Sequence, residues 1–267
     1  MAGAGTDGLG PLWTMLESPS TSALLTDFDG TIAPIVADHS AAFPLPGATQ
    51  VLTGLSERLA VVAVVSGRPA SFLLDRLRDV GPLVRMVGHY GLEWVENGAT
   101  FTSPEAETWR PVVASIVGQV RSVAPSGLEV EDKGISLTLH WRRAPERQVW
   151  ARDFAEQTAV ASGLQAQPGR MSVELRPPLR MGKGAAVERL AGQCTAVTFV
   201  GDDAADLDAF AALDAMALRG VKTITVAAAD DESPDELVNA ASMIVMGATG
   251  ALDLLRQLAS KLEDLGD

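Results

Sequence analysis

The strongest constraint on the fold is an unbroken apolar run of five residues, Val61–Val65, in which four residues are valine. β-Branched side chains favour strands, and a strand that is apolar on both sides must be buried on both faces, as parallel strands are. Mainly apolar stretches predict further strands at about 22–27, 83–87, 196–200, 223–226 and 243–246. Helical patterns separate them, so the sequence predicts an α/β fold with a doubly wound parallel sheet.

The middle of the chain has a different pattern. Around 135–142, apolar residues alternate with polar ones: Ile135, Leu137, Leu139 and Trp141 against Ser136, Thr138, His140 and Arg142. Strict alternation is typical of a sheet that is packed on one face and open on the other. We therefore predict a discontinuous core domain at 1–103 and 177–267, with a smaller α/β domain inserted at 104–176. The insert is predicted to begin with a helix over 105–124, and Asn97-Gly98, shortly before it, predicts a β-hairpin. The open polar face of this insert is predicted to face a ligand.

Carboxylates and a hydroxyl follow three of the predicted core strands. Asp27 and Asp29 end the first, Ser66 ends the second, and Asp202 and Asp203 end a third. If these strands are neighbours, the side chains meet at one edge of the sheet, where open α/β sheets bind ligands. Carboxylates this close repel each other and need a cation or a shared proton. Their hard oxygen atoms suit Mg²⁺, which also takes phosphate oxygens as ligands.

A lysine between two glycines, Lys183, is predicted to approach a phosphate group closely and to act there as a point charge. A metal ion, a lysine and a hydroxyl around a carboxylate nucleophile form a site for phosphoryl transfer. The sequence therefore predicts that Asp27 or Asp29 takes part in such a reaction.

The composition limits the partners and the location of the protein. The 267-residue chain has a net charge of −13, which disfavours binding to nucleic acid or to an anionic membrane. The single cysteine, Cys194, excludes an internal disulfide and fits a reducing compartment. The first ten residues lack the features of a secretory signal, and no apolar run approaches the roughly 20 residues that span a bilayer. We expect a monomer in the cytoplasm that acts on a small molecule.

Four stretches taken together resemble, in order, the motifs of the haloacid-dehalogenase-like phosphatases: Asp27–Thr31, Ser66–Arg68, Lys183 and Gly201–Asp206. The resemblance implies that Asp27 is the nucleophile and that Asp29 is the general acid and then the base. It implies that Thr31, Ser66, Gly67 and Lys183 bind the phosphoryl group. It also implies that Mg²⁺ is held by Asp27, the main-chain carbonyl of Asp29 and Asp202, with Asp203 or Asp206 in support.

A narrower resemblance covers nearly the whole chain. The stretches Ser66–Pro69, Gly88–Glu93, Glu131–Ser136, His140–Arg142 and Glu174–Pro177 are similar to those of trehalose-6-phosphate phosphatases. The resemblance implies that the insert is a cap that closes over the sugar. It implies that Glu131, Lys133 and Glu174 bind sugar hydroxyls, with help from Arg142 or His140. Arg68 either joins this site or caps the helix that begins near Pro69.

The last motif departs from the family pattern, because Ala205 and Leu207 stand where the family usually has threonine and glutamate. We predict a Mg²⁺-dependent phosphatase that converts trehalose 6-phosphate to trehalose and phosphate. One alternative is a phosphatase for a related glycosyl or pseudo-disaccharide phosphate, and a phosphomutase is a less favoured one. A further alternative is a non-catalytic sensor of sugar phosphates.

Overall fold

The computed structural model describes residues 9–36, 38–169, 171–179, 182–231 and 233–265. The chain divides into two compact units, Met1–Phe101 with Met181–Asp267 and Thr102–Arg180. That the larger unit is the catalytic domain and the smaller one the recognition domain remains a prediction. Among the described residues, no helix has both the length and the apolar character that crossing a membrane requires.

The described residues form twelve strands and ten α-helices. The strands are β1 (Ser22–Thr26), β2 (Val61–Val65), β3 (Arg85–Gly88), β4 (Glu93–Glu96), β5 (Ala99–Thr102), β6 (Glu129–Asp132), β7 (Leu137–His140), β8 (Gln165–Gly169), β9 (Ser172–Arg176), β10 (Ala196–Gly201), β11 (Lys222–Ala229) and β12 (Met243–Met246). The helices are α1 (Trp13–Glu17), α2 (Ala48–Ser56), α3 (Ala70–Arg76), α4 (Pro104–Glu107), α5 (Arg110–Val123), α6 (Gln148–Ser162), α7 (Lys183–Ala191), α8 (Leu207–Ala217), α9 (Asp235–Ala240) and α10 (Gly247–Asp264).

The larger unit is built on an eight-stranded sheet with the order β12-β11-β10-β1-β2-β3-β4-β5. The strands from β12 to β3 are parallel, whereas β4 runs antiparallel to β3. This confirms the predicted doubly wound parallel sheet. The predicted Asn97-Gly98 hairpin joins β4 to β5, and both turn residues have the positive φ angles that such tight turns require.

Helices cover both faces of this sheet, which explains the unbroken apolar run in β2. Val62 and Val64 face a core that also contains residues of α2, α3 and α10. Ala63 and Val65 face a second core, which contains residues of α7 and α8. Alternate side chains of a strand point to opposite faces, so a strand between two helical layers has no polar side.

The strand order brings the predicted functional residues to one place. β1 lies between β10 and β2, and all three run parallel, so their carboxyl ends lie side by side. The backbone N–H of Asp27 donates to the carbonyl of Val200 at 2.8 Å, which continues the pairing past the end of β1. The loops that follow these strands therefore meet at one edge, where the strand order reverses.

The smaller unit contains a four-stranded antiparallel sheet with the order β6-β7-β9-β8. Leu137, Leu139 and Leu175 pack with residues of α5 and α6 on one face. The predicted apolar and polar faces are therefore correct. The prediction that the whole polar face is open was wrong, because Thr138 and Glu174 are buried. Glu174 tolerates burial because side chains of the same unit pair with it, as described below.

One predicted helix of the smaller unit is two helices. The sequence pattern indicated a continuous helix over 105–124, but α4 ends at Glu107 and α5 begins at Arg110. Pro111 is the second residue of α5. A proline has no N–H to donate and its ring clashes with the carbonyl four residues earlier, so a continuous helix cannot pass through it.

Candidate active site

A buried lysine links two carboxylates at the carboxyl edge of the eight-stranded sheet. Lys183 is the first residue of α7 and its side chain is only 2% exposed. Its Nζ lies 2.7 Å from Oδ2 of Asp27 and 2.6 Å from Oδ1 of Asp206. The other oxygen of Asp27 accepts a hydrogen bond from the backbone N–H of Phe28 at 2.6 Å. These contacts hold Asp27 in one orientation just beyond β1.

The loop after β10 is organised by a reciprocal cap. Asp203 accepts a hydrogen bond from the N–H of Ala205, and Oδ2 of Asp206 accepts from the N–H groups of Asp202 and Asp203 at 2.9 and 3.1 Å. This arrangement is a capping box on the short 3₁₀ helix Ala204–Asp206. A Cβ atom on Gly201 would overlap the Asp206 carboxyl group, so this position requires glycine.

Asp27, Asp202, Asp206 and Lys183 form a buried charged cluster, in which neighbouring charges shift the pKa of each group. Burial raises the pKa of Asp27 and of Asp202 well above the usual range for aspartate, nearby carboxylates raise both further, and Lys183 acts in the opposite direction. Burial also raises the pKa of Asp206 to about 6, although Lys183 lowers it. Burial alone would lower the pKa of Lys183, but the carboxylates of Asp206 and Asp27 raise it well above its ordinary value. The cluster therefore carries more negative charge than one lysine balances.

Three of the predicted metal ligands come together. Asp27, Asp202 and Asp206 are buried and each offers an oxygen atom within 4.8 Å of the others. Gly30 has a φ of +72°, and a Cβ atom there would overlap the Asp202 carboxyl group. A glycine therefore keeps Asp202 in place. Hard oxygen donors with excess negative charge fit a divalent cation, which haloacid-dehalogenase-like phosphatases are expected to bind.

The other two predicted metal ligands have different side-chain contacts. Asp203 lies outside the buried trio and caps the 3₁₀ helix. Both carboxylate oxygens of Asp29 accept hydrogen bonds from Arg68, at 2.7 and 2.8 Å. The Asp29 side chain is 26% exposed and that of Arg68 is 11% exposed. A metal contact through the main-chain carbonyl of Asp29 remains a prediction, and the Arg68 side chain pairs with Asp29 at this edge of the sheet.

The residues predicted to bind phosphate lie on two loops. Thr31 is fully buried, and its hydroxyl has no hydrogen-bond partner among the described residues. The hydroxyl of Ser66, also buried, accepts a hydrogen bond from the N–H of Arg68 at 3.2 Å. A Cβ atom on Gly67 would lie 2.5 Å from the ring of Tyr90. Buried polar groups normally find a partner, so the orphaned Thr31 hydroxyl fits an anion that binds there.

Four of the predicted substrate-binding residues form one polar network on the sheet of the smaller unit. Oε1 of Glu174 accepts hydrogen bonds from Ser136 at 2.7 Å and from Nζ of Lys133 at 3.2 Å. Nε2 of His140 lies 2.9 Å from Oε2 of Glu131, and Lys133 lies 4.0 Å from the same oxygen. Arg142, two residues beyond β7, is partly exposed. The network presents two carboxylates and an ammonium group, which suit a ligand rich in hydroxyls.

Two supporting carboxylates were missed by the sequence analysis. Asp208 accepts a hydrogen bond from the N–H of Gly184 at 2.7 Å and so caps the first turn of α7 next to Lys183. Glu93 accepts from the N–H of Ala70, the first residue of α3, at 2.8 Å. The glycines on both sides of Lys183 were the available signal for Asp208, because a Cβ atom on Gly182 would overlap that carboxylate.

Comparison with known proteins agrees with this geometry. Residues 25–242 match the trehalose-phosphatase family. The chain is 33% identical over 259 residues to the trehalose-phosphate phosphatase of Mycolicibacterium paratuberculosis, and 34% identical over 260 residues to that of Mycobacterium avium. Each alignment covers 90% of this chain and 63% of the relative. The chain thus spans less than two thirds of the length of these relatives.

Solved structures share the fold. The C-terminal domain of Candida albicans trehalose-6-phosphate phosphatase is 22% identical with a TM-score of 0.75, over 97% of this chain and 99% of that domain. A trehalose-6-phosphate phosphatase related protein gives the same identity and TM-score over 89% of this chain and 97% of its own. Fold, ordered motifs and family match agree, and the chain therefore belongs to the trehalose-phosphatase family of the haloacid-dehalogenase-like superfamily.

Proposed function

We propose that this protein is a Mg²⁺-dependent phosphatase that hydrolyses trehalose 6-phosphate to trehalose and phosphate, a step of trehalose biosynthesis. The observation that carries the proposal is the buried Asp27 carboxylate, held by Lys183 beside Asp202. The orphaned hydroxyl of Thr31, four residues further along the chain, supports it. Relatives that match 90% of this chain bear the name trehalose-phosphate phosphatase, which supports the choice of substrate.

In the first step, an oxygen of Asp27 attacks phosphorus and the bond from phosphorus to the sugar oxygen breaks. Asp29 donates a proton to the departing sugar oxygen, and the phosphoryl group is left on Asp27. Lys183, Thr31, Ser66 and the backbone of Gly67 bind the phosphoryl oxygens during transfer. Their donors are positioned before the reaction, so stabilising the transferring group requires little reorganisation.

In the second step, Asp29 accepts a proton from water, which attacks the phosphorus atom. The bond between phosphorus and Asp27 breaks, and free phosphate and the Asp27 carboxylate are formed. Arg68 affects this role, because its guanidinium group donates hydrogen bonds to both carboxylate oxygens of Asp29. Asp29 must therefore leave this pair when the substrate binds, so that one of its oxygens can exchange a proton with the sugar oxygen or with water.

Asp27, Asp202 and the main-chain carbonyl of Asp29 would hold the Mg²⁺ ion, with Asp206 in support. The ion supplies charge neutralisation, which lets an anionic carboxylate approach an anionic phosphate group. Asp206 also has a separate task, because it accepts hydrogen bonds from Lys183 and from two backbone N–H groups. Asp203 contributes by capping the loop that carries Asp202.

Glu131, Lys133 and Glu174 would bind the sugar hydroxyls, and His140 would orient Glu131 through their 2.9 Å contact. Arg142 and Arg68 would add further donors. The negative net charge of the chain disfavours nucleic acid and anionic membranes as partners, and its single cysteine fits the reducing cytoplasm. We propose a cytoplasmic monomer that acts on a small molecule. A related disaccharide phosphate would use the same polar network, so measured activity must decide the sugar.

The proposal is tested by measuring phosphate release from a panel of sugar phosphates, with Mg²⁺ and with EDTA. We expect turnover of trehalose 6-phosphate that requires Mg²⁺ and is lost in Asp27→Asn. The matched control is Asp253→Asn, which changes an exposed aspartate on α10 that pairs with Arg256. Undiminished turnover by Asp27→Asn would contradict the mechanism. No turnover of trehalose 6-phosphate together with turnover of another sugar phosphate would show that the other compound is the substrate. Tight binding of a sugar phosphate without turnover would indicate a sensor.

A further inference from the structure

The short segment between β3 and β4 has an unusual backbone. Three consecutive residues, His89, Tyr90 and Gly91, have φ angles of 46°, 54° and 106°. This left-handed region is easy for glycine but unfavourable for a bulky residue such as tyrosine. A strained conformation of this kind persists only where the surrounding structure holds it, and such segments cluster at functional sites.

Two buried side chains lie beside this segment. His89 is fully buried, and its Nδ1 lies 3.0 Å from Oε2 of Glu93, although the pair does not have the geometry of a hydrogen bond. The same oxygen of Glu93 accepts a hydrogen bond from the N–H of Ala70 at the start of α3. The strained residues are thereby tied to the helix that directly follows the Ser66 loop.

The backbone of the segment contacts the loop that carries Ser66 and the residue that precedes Lys183. The N–H groups of Tyr90 and His89 donate to the carbonyls of Ser66 and Arg68 at 3.0 and 2.9 Å. The carbonyl of Tyr90 accepts a hydrogen bond from the N–H of Gly182, the residue before Lys183, at 2.9 Å. Tyr90 therefore bridges the loop that carries Ser66 and the loop that leads into Lys183.

The side chain of Tyr90 adds a steric contact to these hydrogen bonds. Its ring lies so close to Gly67 that a Cβ atom on Gly67 would be 2.5 Å from Cζ and from the hydroxyl oxygen. The ring thus packs against the backbone of Gly67 in the Ser66 loop. In the proposed mechanism, this backbone binds the phosphoryl group. The left-handed backbone of Tyr90 makes it possible for one residue to make the ring contact and both hydrogen bonds.

We propose that Tyr90 is a positioning residue, which sets the Ser66–Arg68 loop against the start of α7 so that Ser66, Gly67 and Lys183 converge on one phosphoryl group. His89 and Glu93 maintain the left-handed backbone that this role requires. The inference rests on the proposed function, since it concerns the phosphate site of that reaction. It assigns to Tyr90 no contact with the sugar and no proton transfer.

The test compares Tyr90→Gly with Tyr90→Phe in the Mg²⁺-loaded 267-residue protein. Glycine accepts the left-handed backbone but removes the ring, whereas phenylalanine keeps the ring against Gly67. We expect Tyr90→Gly to weaken binding of inorganic phosphate in calorimetry, and to lower kcat for p-nitrophenyl phosphate, by about tenfold each, because displacements near 1 Å strongly slow positioned reactions. In Tyr90→Phe, we expect the affinity for phosphate and the kcat for p-nitrophenyl phosphate to stay within about twofold of the wild-type values.

A second variant tests the contact itself. Gly67→Ala places a methyl group against the ring, so we expect it to weaken phosphate binding in the wild-type background. In the Tyr90→Gly background the ring is absent, and the same substitution is expected to have little further effect. Such non-additivity is the signature of two residues that act through one contact.

Three outcomes would overturn the inference. Tyr90→Gly could lower the melting temperature and leave phosphate binding and kcat unchanged, or it could raise only the KM for the sugar phosphate. The third is that the effects of Tyr90→Gly and Gly67→Ala on phosphate binding add. The first would show a purely structural role, and the second a contact with the sugar. If the wild-type protein releases no phosphate from any substrate, the proposed function fails, and phosphate binding by calorimetry still decides the role of Tyr90.

Discussion

At the scale of single residues, the site is defined by charge that burial leaves unbalanced. Asp27, Asp202 and Asp206 lie within one small buried volume, and Lys183 supplies a positive charge to two of them. Removing carboxylates from water disfavours their ionised form, and mutual repulsion adds to this effect. Such a cluster is destabilising unless protons or a cation neutralise it, which is the property that a metal-dependent site needs.

The raised pKa values of these carboxylates predict how the stability of the metal-free protein depends on pH. Burial raises the pKa of Asp206 to about 6 from an ordinary value of 3.8, and the pKa values of Asp27 and Asp202 are raised as well. Between about pH 4 and pH 6 the folded protein therefore binds protons that the unfolded chain does not bind. The contribution of these groups to stability increases as pH falls from 7 to 5, by on the order of 1 kcal/mol for Asp206 alone.

The measurement is the thermal unfolding midpoint in EDTA and in excess Mg²⁺, at pH 7 and at pH 5.5. Mg²⁺ competes with protons for the same carboxylates, so the stabilisation by Mg²⁺ is expected to be large at pH 7 and smaller at pH 5.5. A Mg²⁺ stabilisation that is the same at both pH values, or greater at the lower one, would contradict a cluster of carboxylates with raised pKa values.

At the scale of elements, tight turns and helix caps place the site residues. The reciprocal cap formed by Asp203 and Asp206 shapes the loop after β10, and Asp208 caps α7 beside Lys183. Gly30 turns the chain after Asp29 with a φ of +72° and leaves room for Asp202. These short-range devices explain why glycines and aspartates, which are common in any turn, occur here in this arrangement.

The role of Gly30 is tested by Gly30→Ala against Gly98→Ala. Both glycines have left-handed backbones, with φ values of +72° and +74°, so each substitution should lower the free energy of unfolding by roughly 1–2 kcal/mol. A Cβ atom on Gly98 meets open space, whereas one on Gly30 overlaps Asp202. Displacing a ligand carboxylate should therefore weaken Mg²⁺ binding about tenfold or more in Gly30→Ala alone.

Calorimetric titration of both variants with Mg²⁺ provides the readout, and urea denaturation checks the shared strain. Equal Mg²⁺ affinity in the two variants would show that Asp202 does not depend on the space beside Gly30. A loss of affinity in Gly98→Ala would show that turn strain alone disturbs the metal site.

At the scale of the whole molecule, two compact units, each with hydrophobic packing of its own, divide the proposed tasks. The larger unit holds the carboxylates, the phosphate loops and Lys183, whereas the smaller unit holds the network of Glu131, Lys133 and Glu174. This division predicts that the chemistry and the choice of sugar can be altered separately.

Glu174→Gln tests that separation. Losing a charge-assisted hydrogen bond to a sugar hydroxyl should lower kcat/KM for trehalose 6-phosphate by about tenfold, and turnover of p-nitrophenyl phosphate should be unchanged because it has no sugar. The matched control is Glu156→Gln, an exposed carboxylate on α6 of the same unit. Equal losses on both substrates would show that Glu174 acts on stability or on the phosphate site and not on recognition of the sugar.

The sequence by itself determined much of the fold and of the candidate site. Unbroken apolar runs specified strands buried on both faces, and strict alternation specified a second sheet with one polar face, because side chains alternate across any strand. Asp27, Ser66, Lys183 and Asp202 were recognisable because each follows such a run or lies between glycines. The helix break before Pro111 was missed, although its cause is local.

Only the tertiary structure decided which of these groups touch. The order β10-β1-β2 placed three distant loops side by side, and no local pattern specifies the order of strands in a sheet. The same holds for the pairing of Arg68 with Asp29, for the cap that Asp208 provides and for the bridge at Tyr90. These contacts join residues far apart in the chain, so their energies depend on packing that appears only when the whole sheet has formed.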